Sequence, residues 1–166
     1  VTAFYAKRQR KGLTRVDAER QMKTHNIFGM MMVDMEDADG LISGLTQQYP
    51  ATVRPALQIM GTQPGVQRVA GLYMMVFRDQ TLFIADPTVN IDPTAEELAE
   101  IALLAAAKVR KLDMVPRVAM LSFSNFGSTP HPLTNKVRRA TEIVHTKDPK
   151  LMVDGEMMAD TAMSRE

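Results

Sequence analysis

Short apolar runs along the chain predict strands. Residues 69–77 and 81–85 are both largely apolar and flank three polar residues, a spacing that predicts a β-hairpin. A third run, residues 118–121, lies between Pro116 and a loop rich in serine, asparagine and glycine. A brief apolar run bounded by a proline and a turn cluster is typical of a buried strand, so residues 118–121 are predicted to form one.

A longer stretch of helical spacing covers residues 94–112. Acidic side chains lie early in this stretch and basic side chains lie late, which suits the helix dipole. The helix begins in one of two ways: Asp92 is the cap and Pro93 the first residue, or Thr94 and Glu97 form a capping box. Its predicted apolar face comprises Leu98, Ile101, Ala102, Ala105, Val109 and Leu112.

The second half of the chain follows the order strand, polar loop, helix, strand. Helical spacing resumes over residues 133–145, after the segment Pro130-His131-Pro132, which is expected to be irregular. Met152 and Val153 then begin another strand-like segment. This order is typical of a parallel βαβ unit, so the sequence predicts an α/β fold.

The first part of the chain is patterned less clearly. Thr14 is predicted to cap a short helix. Residues 28–35 are apolar on most sides, and their periodicity leaves helix and strand equally open. Residues 41–42 are predicted to form a short strand that ends at Ser43 and Gly44.

Composition narrows the class of protein. The chain has 166 residues, of which 45% are hydrophobic and 23% charged, so it can bury one compact core or two small ones. A net charge of +1 gives no field that would attract nucleic acid or an acidic membrane. Cysteine is absent, which excludes disulfides and thiolate metal sites. We expect a cytoplasmic protein with neither a nucleic-acid nor a membrane partner.

A candidate anion site lies in the segment Tyr49 to Gln58. If Thr52 is the N-cap, Arg54 lies in the first helical turn and Pro55 occupies a position that needs no hydrogen-bond donor. A helix N-terminus with an arginine in its first turn suits a phosphate group.

The loop after residues 118–121 is a candidate ligand loop. It carries Ser124, Gly127 and Ser128 at the carboxyl end of a predicted strand, where ligands bind in open α/β sheets. The same composition is also ordinary turn chemistry, so a plain connection remains open.

Asp154 and Glu156 follow another strand-like run, and three interpretations of them remain open: metal binding, acid–base chemistry, or capping and surface solvation. The chain's histidines are His25, His131 and His145, which lack the spacing of metal ligands. The histidines therefore give no support for a zinc site, and we assign no residue of the chain to a metal.

Five motifs, taken together and in order, resemble those of the phosphotransacetylase family. Their amino-acid sequences most resemble those of the phosphotransacetylase-like domain of bacterial NADP-dependent malic enzymes. The resemblance covers essentially the whole chain. The motifs are Arg10-Lys11-Gly12 with Thr14, Ser43-Gly44 with the segment 54–58, the segment 90–102, the segment 117–128, and Asp154-Gly155-Glu156.

The resemblance implies a two-lobed α/β architecture like that of the isocitrate and isopropylmalate dehydrogenases, present here only in part. Residues 1–69 would belong to the first lobe and residues 70–166 to the second, with a ligand cleft between lobes and homodimeric pairing. Arg8 and Arg54 match the family's phosphate-binding arginines. The other implied ligand-binding residues are Ser43, Gly44, Thr52, Ser124, Gly127 and Ser128.

The function implied is that of a regulatory domain that senses acetyl-CoA for a malic enzyme, with NADP and a divalent metal bound in a catalytic domain outside this chain. The family's C-terminal serine-arginine pair has no counterpart before Glu166, so we expect a fragment that is inactive alone and binds no cofactor of its own. The alternative is a genuine phosphate acetyltransferase that interconverts acetyl-CoA and acetyl phosphate. A third possibility is an oligomerisation module without a ligand.

Overall fold

The computed structural model describes residues 1–62, 64–66 and 68–164. They form two compact units, Val1–Gln67 and Arg68–Glu166. Helices alone make up the regular structure described in the first unit, whereas the second is mixed α/β.

The first unit contains four α-helices: α1 (Thr2–Arg8), α2 (Arg15–Gln21), α3 (His25–Asp34) and α4 (Tyr49–Ile59). A short 3-10 helix, Gln9–Lys11, extends α1. Thr14 caps α2 as predicted, because its hydroxyl accepts a hydrogen bond from the Asp17 N–H at 3.1 Å. The ambiguous run 28–35 belongs to α3 and its C-terminal end, so its helical interpretation is the right one.

The core of the first unit is built around Phe4 and α3. Its buried members are Phe4, Ala18, Ile27, Met30, Met31 and Ile59. The strand predicted at residues 41–42 is wrong: the segment has no regular structure and no ladder partner in the described chain, and Ile42 is fully exposed. Two apolar residues do not make a strand unless a neighbouring strand pairs with their backbone.

The second unit begins with the predicted hairpin. Strands β1 (Leu72–Val76) and β2 (Thr81–Ala85) pair antiparallel, with Leu72 opposite Ala85 and Val76 opposite Thr81. Helix α5 (Ala95–Arg110) follows. Of the two predicted helix starts, the capping box is observed: Thr94 accepts from the Glu97 N–H at 3.3 Å, and the Glu97 carboxylate accepts from the Thr94 N–H at 2.8 Å.

The predicted βαβ unit completes the second unit. Strand β3 (Arg117–Leu121), helix α6 (Pro132–Lys147) and strand β4 (Met152–Met157) follow in order, and β3 and β4 pair in parallel. A short helix α7 (Ala159–Met163) ends the described chain. The buried core of this unit comprises Ala99, Ala102, Ala106, Met120, Val137, Ala140, Val144, Leu151 and Val153.

The segment Pro130-His131-Pro132 differs from its prediction at its last residue. Pro132 is the first residue of α6, a position at which the missing N–H costs nothing. His131 is the N-cap, and its Nδ1 accepts from the Leu133 N–H at 3.1 Å.

None of the helices in residues 1–62, 64–66 and 68–164 combines the length and the hydropathy that a bilayer crossing requires.

Candidate functional site

A polar cavity of about 320 Å³ opens beside Arg8 in the first unit. Arg8 is the last residue of α1 and is half-buried. The charged side chains of the lining are Arg8, Lys11, Arg20 and Asp17, three cations against one carboxylate. Arg20 pairs with Asp17 at 2.6 Å, whereas Arg8 and Lys11 have no ion-pair partner within the described residues. The cavity therefore has an excess of positive charge that suits an anionic group.

Arg54 does not lie in the first turn of its helix, where the sequence predicts it. Helix α4 begins at Tyr49 with Gln48 as its N-cap, so Arg54 lies in the second turn and Pro55 is inside the helix. The prediction that Thr52 caps this helix is wrong, because Pro50 occupies the early helical position that the sequence pattern assigns to Pro55. Arg54 is exposed and precedes Gln58, a lining residue of the cavity beside Arg8, by one helical turn.

Asn26 brings Ser43 and Thr52 together. Asn26 is the second residue of α3 and is 3% exposed. Its Oδ1 accepts from the Ser43 hydroxyl, and its Nδ2 donates to Gln47 Oε1 at 2.6 Å, to the Ala51 carbonyl at 3.1 Å and to Thr52 Oγ1 at 3.4 Å. Two predicted site residues thus share one buried amide, which sequence reasoning missed.

The Ala51 carbonyl explains why Asn26 is needed. In a regular helix this carbonyl would accept from the N–H four residues later, but that residue is Pro55, which has none. The Asn26 amide supplies the missing donor. Gly44, the third predicted residue of this region, is exposed at φ 127°, and a Cβ added to it would meet no atom within 4 Å.

The loop after β3 places its two serines differently. Ser124 is 1% exposed; its hydroxyl lies 3.0 Å from that of Ser128 and accepts from the Thr129 N–H at 3.0 Å. Ser128 and Gly127 are exposed. Ser124 therefore supports the loop from inside, while Ser128 and Gly127 face solvent.

Glu156 fastens this loop from β4. It lies inside the strand rather than beyond its end and is 1% exposed, so surface solvation and helix capping are wrong for this residue. Its carboxylate accepts from the Gly127 N–H at 2.7 Å, from Arg138 Nε at 3.2 Å and from Arg138 Nη2 at 3.1 Å. The hydrogen bonds from Arg138 and then from Gly127 outweigh the effect of burial and hold the pKa of Glu156 below its ordinary value.

The loop after β2 is closed by Asp86 in a similar way. Its carboxylate accepts from the N–H groups of Gly71, Thr88, Val89 and Asn90 at 2.8–3.1 Å. Burial raises the pKa of Asp86, but these hydrogen bonds and that of the Asn90 side chain prevail and lower it. No group of three or more histidine or carboxylate side chains suited to a metal ion occurs within the described parts of the chain.

Comparison with known proteins gives the family. The model of the phosphate acetyl/butaryl transferase family matches residues 1–166, so the chain belongs to this family. The phosphate acetyltransferase of Thermoanaerobacterium thermosaccharolyticum is 43% identical over 172 residues, covering 99% of this chain and 52% of the relative. The NADP-dependent malic enzyme of Escherichia coli is 38% identical over 163 residues, covering 98% of this chain and 22% of the enzyme.

The fold agrees with the family. The crystal structure of a phosphotransacetylase from Streptococcus pyogenes superposes with a TM-score of 0.86 at 43% identity, over 98% of this chain and 50% of that one. The chain is therefore a mixed α/β member of the phosphate acetyl/butaryl transferase family, and it spans about half the length of that solved relative.

Proposed function

We propose that this chain binds the substrates of phosphate acetyl transfer. The observation that carries the proposal is the cavity beside Arg8, in which cations outnumber carboxylates, in a chain that belongs to the phosphate acetyl/butaryl transferase family. In this reaction the thiolate sulfur of coenzyme A attacks the acetyl carbon of acetyl phosphate. The new C–S bond forms, the C–O bond to phosphate breaks, and inorganic phosphate leaves.

Arg8 and Arg54 would bind the phosphoryl oxygens. A guanidinium group donates two parallel hydrogen bonds to such oxygens and offsets the negative charge that develops in the tetrahedral intermediate. Ser43, Gly44 and Thr52 would lie beside them. Gly127 and Ser128, which are exposed on the loop after β3, would also contact the substrates. We assign Ser124 a supporting role, because it is buried.

Acetyl-CoA formation from acetyl phosphate and coenzyme A tests the proposal, with the protein expressed from its complete gene. We expect Arg8→Gln and Arg54→Gln each to raise KM for acetyl phosphate about tenfold to a hundredfold, since hydrogen bonds to charged groups contribute about 1.5–3 kcal/mol. The matched control is Arg10→Gln, which removes the same charge from an exposed residue outside the cavity lining. Failure of the wild-type protein both to form acetyl-CoA and to bind coenzyme A and acetyl phosphate would refute the proposal.

A second candidate is a regulatory domain of an NADP-dependent malic enzyme. It is supported by the Escherichia coli malic enzyme, whose similarity extends over 98% of this chain. Acetyl-CoA would bind here and favour a less active assembly of a homo-oligomer, while NADP and a divalent metal would bind outside this chain. Malate-dependent NADPH formation that acetyl-CoA suppresses, without acetyl transfer, would decide for this candidate.

A further inference from the structure

The loop of residues 122–128 is joined to the end of β4 and the residue after it by several hydrogen bonds. In two of them a loop N–H donates to a carbonyl of β4. In the third the N–H of the residue after β4 donates to the Asn125 side chain, and in the fourth a loop N–H donates to the Glu156 carboxylate. They are Ser122 N–H to Met157 O (2.8 Å), Phe126 N–H to Glu156 O (2.9 Å), Met158 N–H to Asn125 Oδ1 (2.7 Å) and Gly127 N–H to Glu156 Oε1 (2.7 Å).

The Glu156 carboxylate connects three elements. It lies on β4, accepts two hydrogen bonds from Arg138 of α6, and accepts one from the loop. A side chain at Gly127 would begin 3.3 Å from Arg138 Nη2, so the glycine lets the guanidinium approach the loop closely. We call the set Glu156, Arg138 and the Gly127 N–H the carboxylate clasp.

The carboxylate clasp stabilises a loop conformation that is unfavourable in the absence of these hydrogen bonds. Phe126 has φ 46°, which is strained for a bulky side chain, and it is 59% exposed. Because Phe126 is mostly exposed, its burial compensates for little of this strain, and the surrounding hydrogen bonds hold the conformation. Ligands bind beyond the carboxyl ends of parallel strands, and this loop lies there, after β3 and beside the end of β4.

We propose that Glu156 is a positioning residue that, through Arg138 and the Gly127 N–H, holds Phe126, Gly127 and Ser128 in their ligand-binding conformation. The ligand is the coenzyme A or acetyl phosphate of the proposed function, on which this inference rests. Removing Arg138 leaves the buried Glu156 carboxylate without its counter-charge, and removing Glu156 leaves the Gly127 N–H without its acceptor, so the clasp acts as one unit.

The test uses a reporter that the sequence makes possible. These 166 residues include no tryptophan, so Phe126→Trp places their one tryptophan, a fluorescent probe, on the loop. We expect Glu156→Gln in this background to lower the fluorescence anisotropy of the probe. In the protein that retains Phe126 we expect the same substitution to raise the Kd for coenzyme A about tenfold by calorimetry, a weakening of about 1.4 kcal/mol.

The matched control is Glu142→Gln, the same substitution on α6. Glu142 accepts from Arg139 at 3.1 Å, but both side chains are exposed, so neither the anisotropy nor the Kd should change. If Glu156→Gln does not fold, Arg138→Lys keeps the positive charge, loses the two-point contact and should give a smaller change of the same sign.

Unchanged anisotropy, or an unchanged Kd, in a folded Glu156→Gln or Arg138→Lys protein would overturn the inference. Failure of the wild-type protein to bind coenzyme A and acetyl phosphate would instead overturn the proposed function and, with it, the role in ligand binding. The anisotropy would in that case still decide whether Glu156 orders the loop, so the two failures are distinguishable.

Discussion

Two segments of this protein carry serine and glycine residues, and each segment is held by its own buried polar side chain. One of these side chains is neutral and the other is charged. In the first unit the neutral amide of Asn26 holds Ser43 and Thr52. In the second unit the charged carboxylate of Glu156 holds the loop 122–128. The amide serves a segment without strands, whereas the carboxylate serves a loop that follows a paired strand. The two segments show that a short apolar run followed by serine and glycine does not by itself indicate whether the run forms a strand. Nor does it indicate which side chain holds the following loop.

The two supports also differ in what their loss leaves behind. Without Asn26, the Ala51 carbonyl lacks a donor because Pro55 has no N–H. Without Glu156, Arg138 retains a charge whose partner has gone. Neutral hydrogen bonds contribute about 0.5–1.5 kcal/mol and those of charged groups about 1.5–3 kcal/mol. The second unit should therefore depend more strongly on its single side chain.

The largest loss of stability is expected from Gly155→Ala, which disturbs the pairing of β3 with β4. The segment around Ser43 has no such strand pairing within the described residues. Gly155 has φ 139°, and an added Cβ would lie 2.5 Å from the Met120 carbonyl oxygen on β3. The overlap should separate β3 from β4 and cost about 3 kcal/mol or more. Thermal unfolding followed by circular dichroism measures it.

Gly44→Ala is the matched control for that change. Gly44 also has a positive φ of 127°, but an added Cβ meets no atom within 4 Å. Only the backbone strain of about 1 kcal/mol should remain. Equal losses of stability in the two variants would show that φ, and not contact with β3, decides the cost at Gly155.

The next effect is expected from Asn26→Leu, which removes the neutral support. Loss of its hydrogen bonds should cost about 2 kcal/mol. If the Ala51 carbonyl is the group that needs Asn26, Pro55→Ala should reduce this cost, because residue 55 then supplies the helical N–H. A double-mutant cycle in urea measures the coupling, and strictly additive changes would contradict the explanation.

Sequence reasoning succeeded where the information was local. The hairpin of residues 72–85, the capping box of α5 and the parallel unit of β3, α6 and β4 follow from periodicity and cap residues close in the chain. It failed at residues 41–42, where a strand would have needed a distant partner. It also misplaced the start of α4, because Pro50 and Pro55 both suit an early helical position.

The supports of the site were harder to predict for the same reason. Asn26 lies 21 positions from Gln47, and Arg138 lies 18 positions from Glu156. A single asparagine or arginine within a helical pattern gives no local indication of such a partner. Arg8, in contrast, is indicated by the resemblance to the family's motifs; it lines the cavity with excess positive charge, and its binding of phosphate stays a prediction.

A pH titration should separate the two supports. The pKa of Glu156 is lowered in the folded protein, so its contribution to stability is complete above the unfolded value of about 4.3 and is lost as the pH falls through the folded pKa. Arg138 faces it and stays protonated there, since a guanidinium group loses its proton only at strongly basic pH, and its hydrogen bond to Glu156 raises its pKa further. The thermal midpoint of Glu156→Gln should therefore fall less on acidification than that of the wild-type protein.

Asn26→Asp should show the opposite sign. Its new carboxylate would be buried against the Ala51 carbonyl, so burial and the facing acceptor raise its pKa. The protonated form is then favoured in the folded state, and stability is present at low pH and lost as the pH rises. The wild-type Asp86, whose pKa is lowered, adds to the acid loss of the second unit in every variant. Parallel pH profiles for the two variants would contradict the assignment.

The smallest effect is expected from Glu142→Gln, which tests whether burial or distance makes the Glu156 pair important. The Arg139–Glu142 and Arg138–Glu156 pairs have the same separation, 3.1 Å, on neighbouring arginines of α6. Both partners of the first pair are about 60% exposed, whereas the Glu156 side chain is fully buried. Water and salt screen the exposed pair, so its loss should cost at most about 0.5 kcal/mol and nothing measurable in about 1 M salt. Glu156→Gln should keep its larger cost at that salt concentration, because the solvent does not reach its carboxylate; equal sensitivity of both variants to salt would mean that the carboxylate clasp is a surface ion pair.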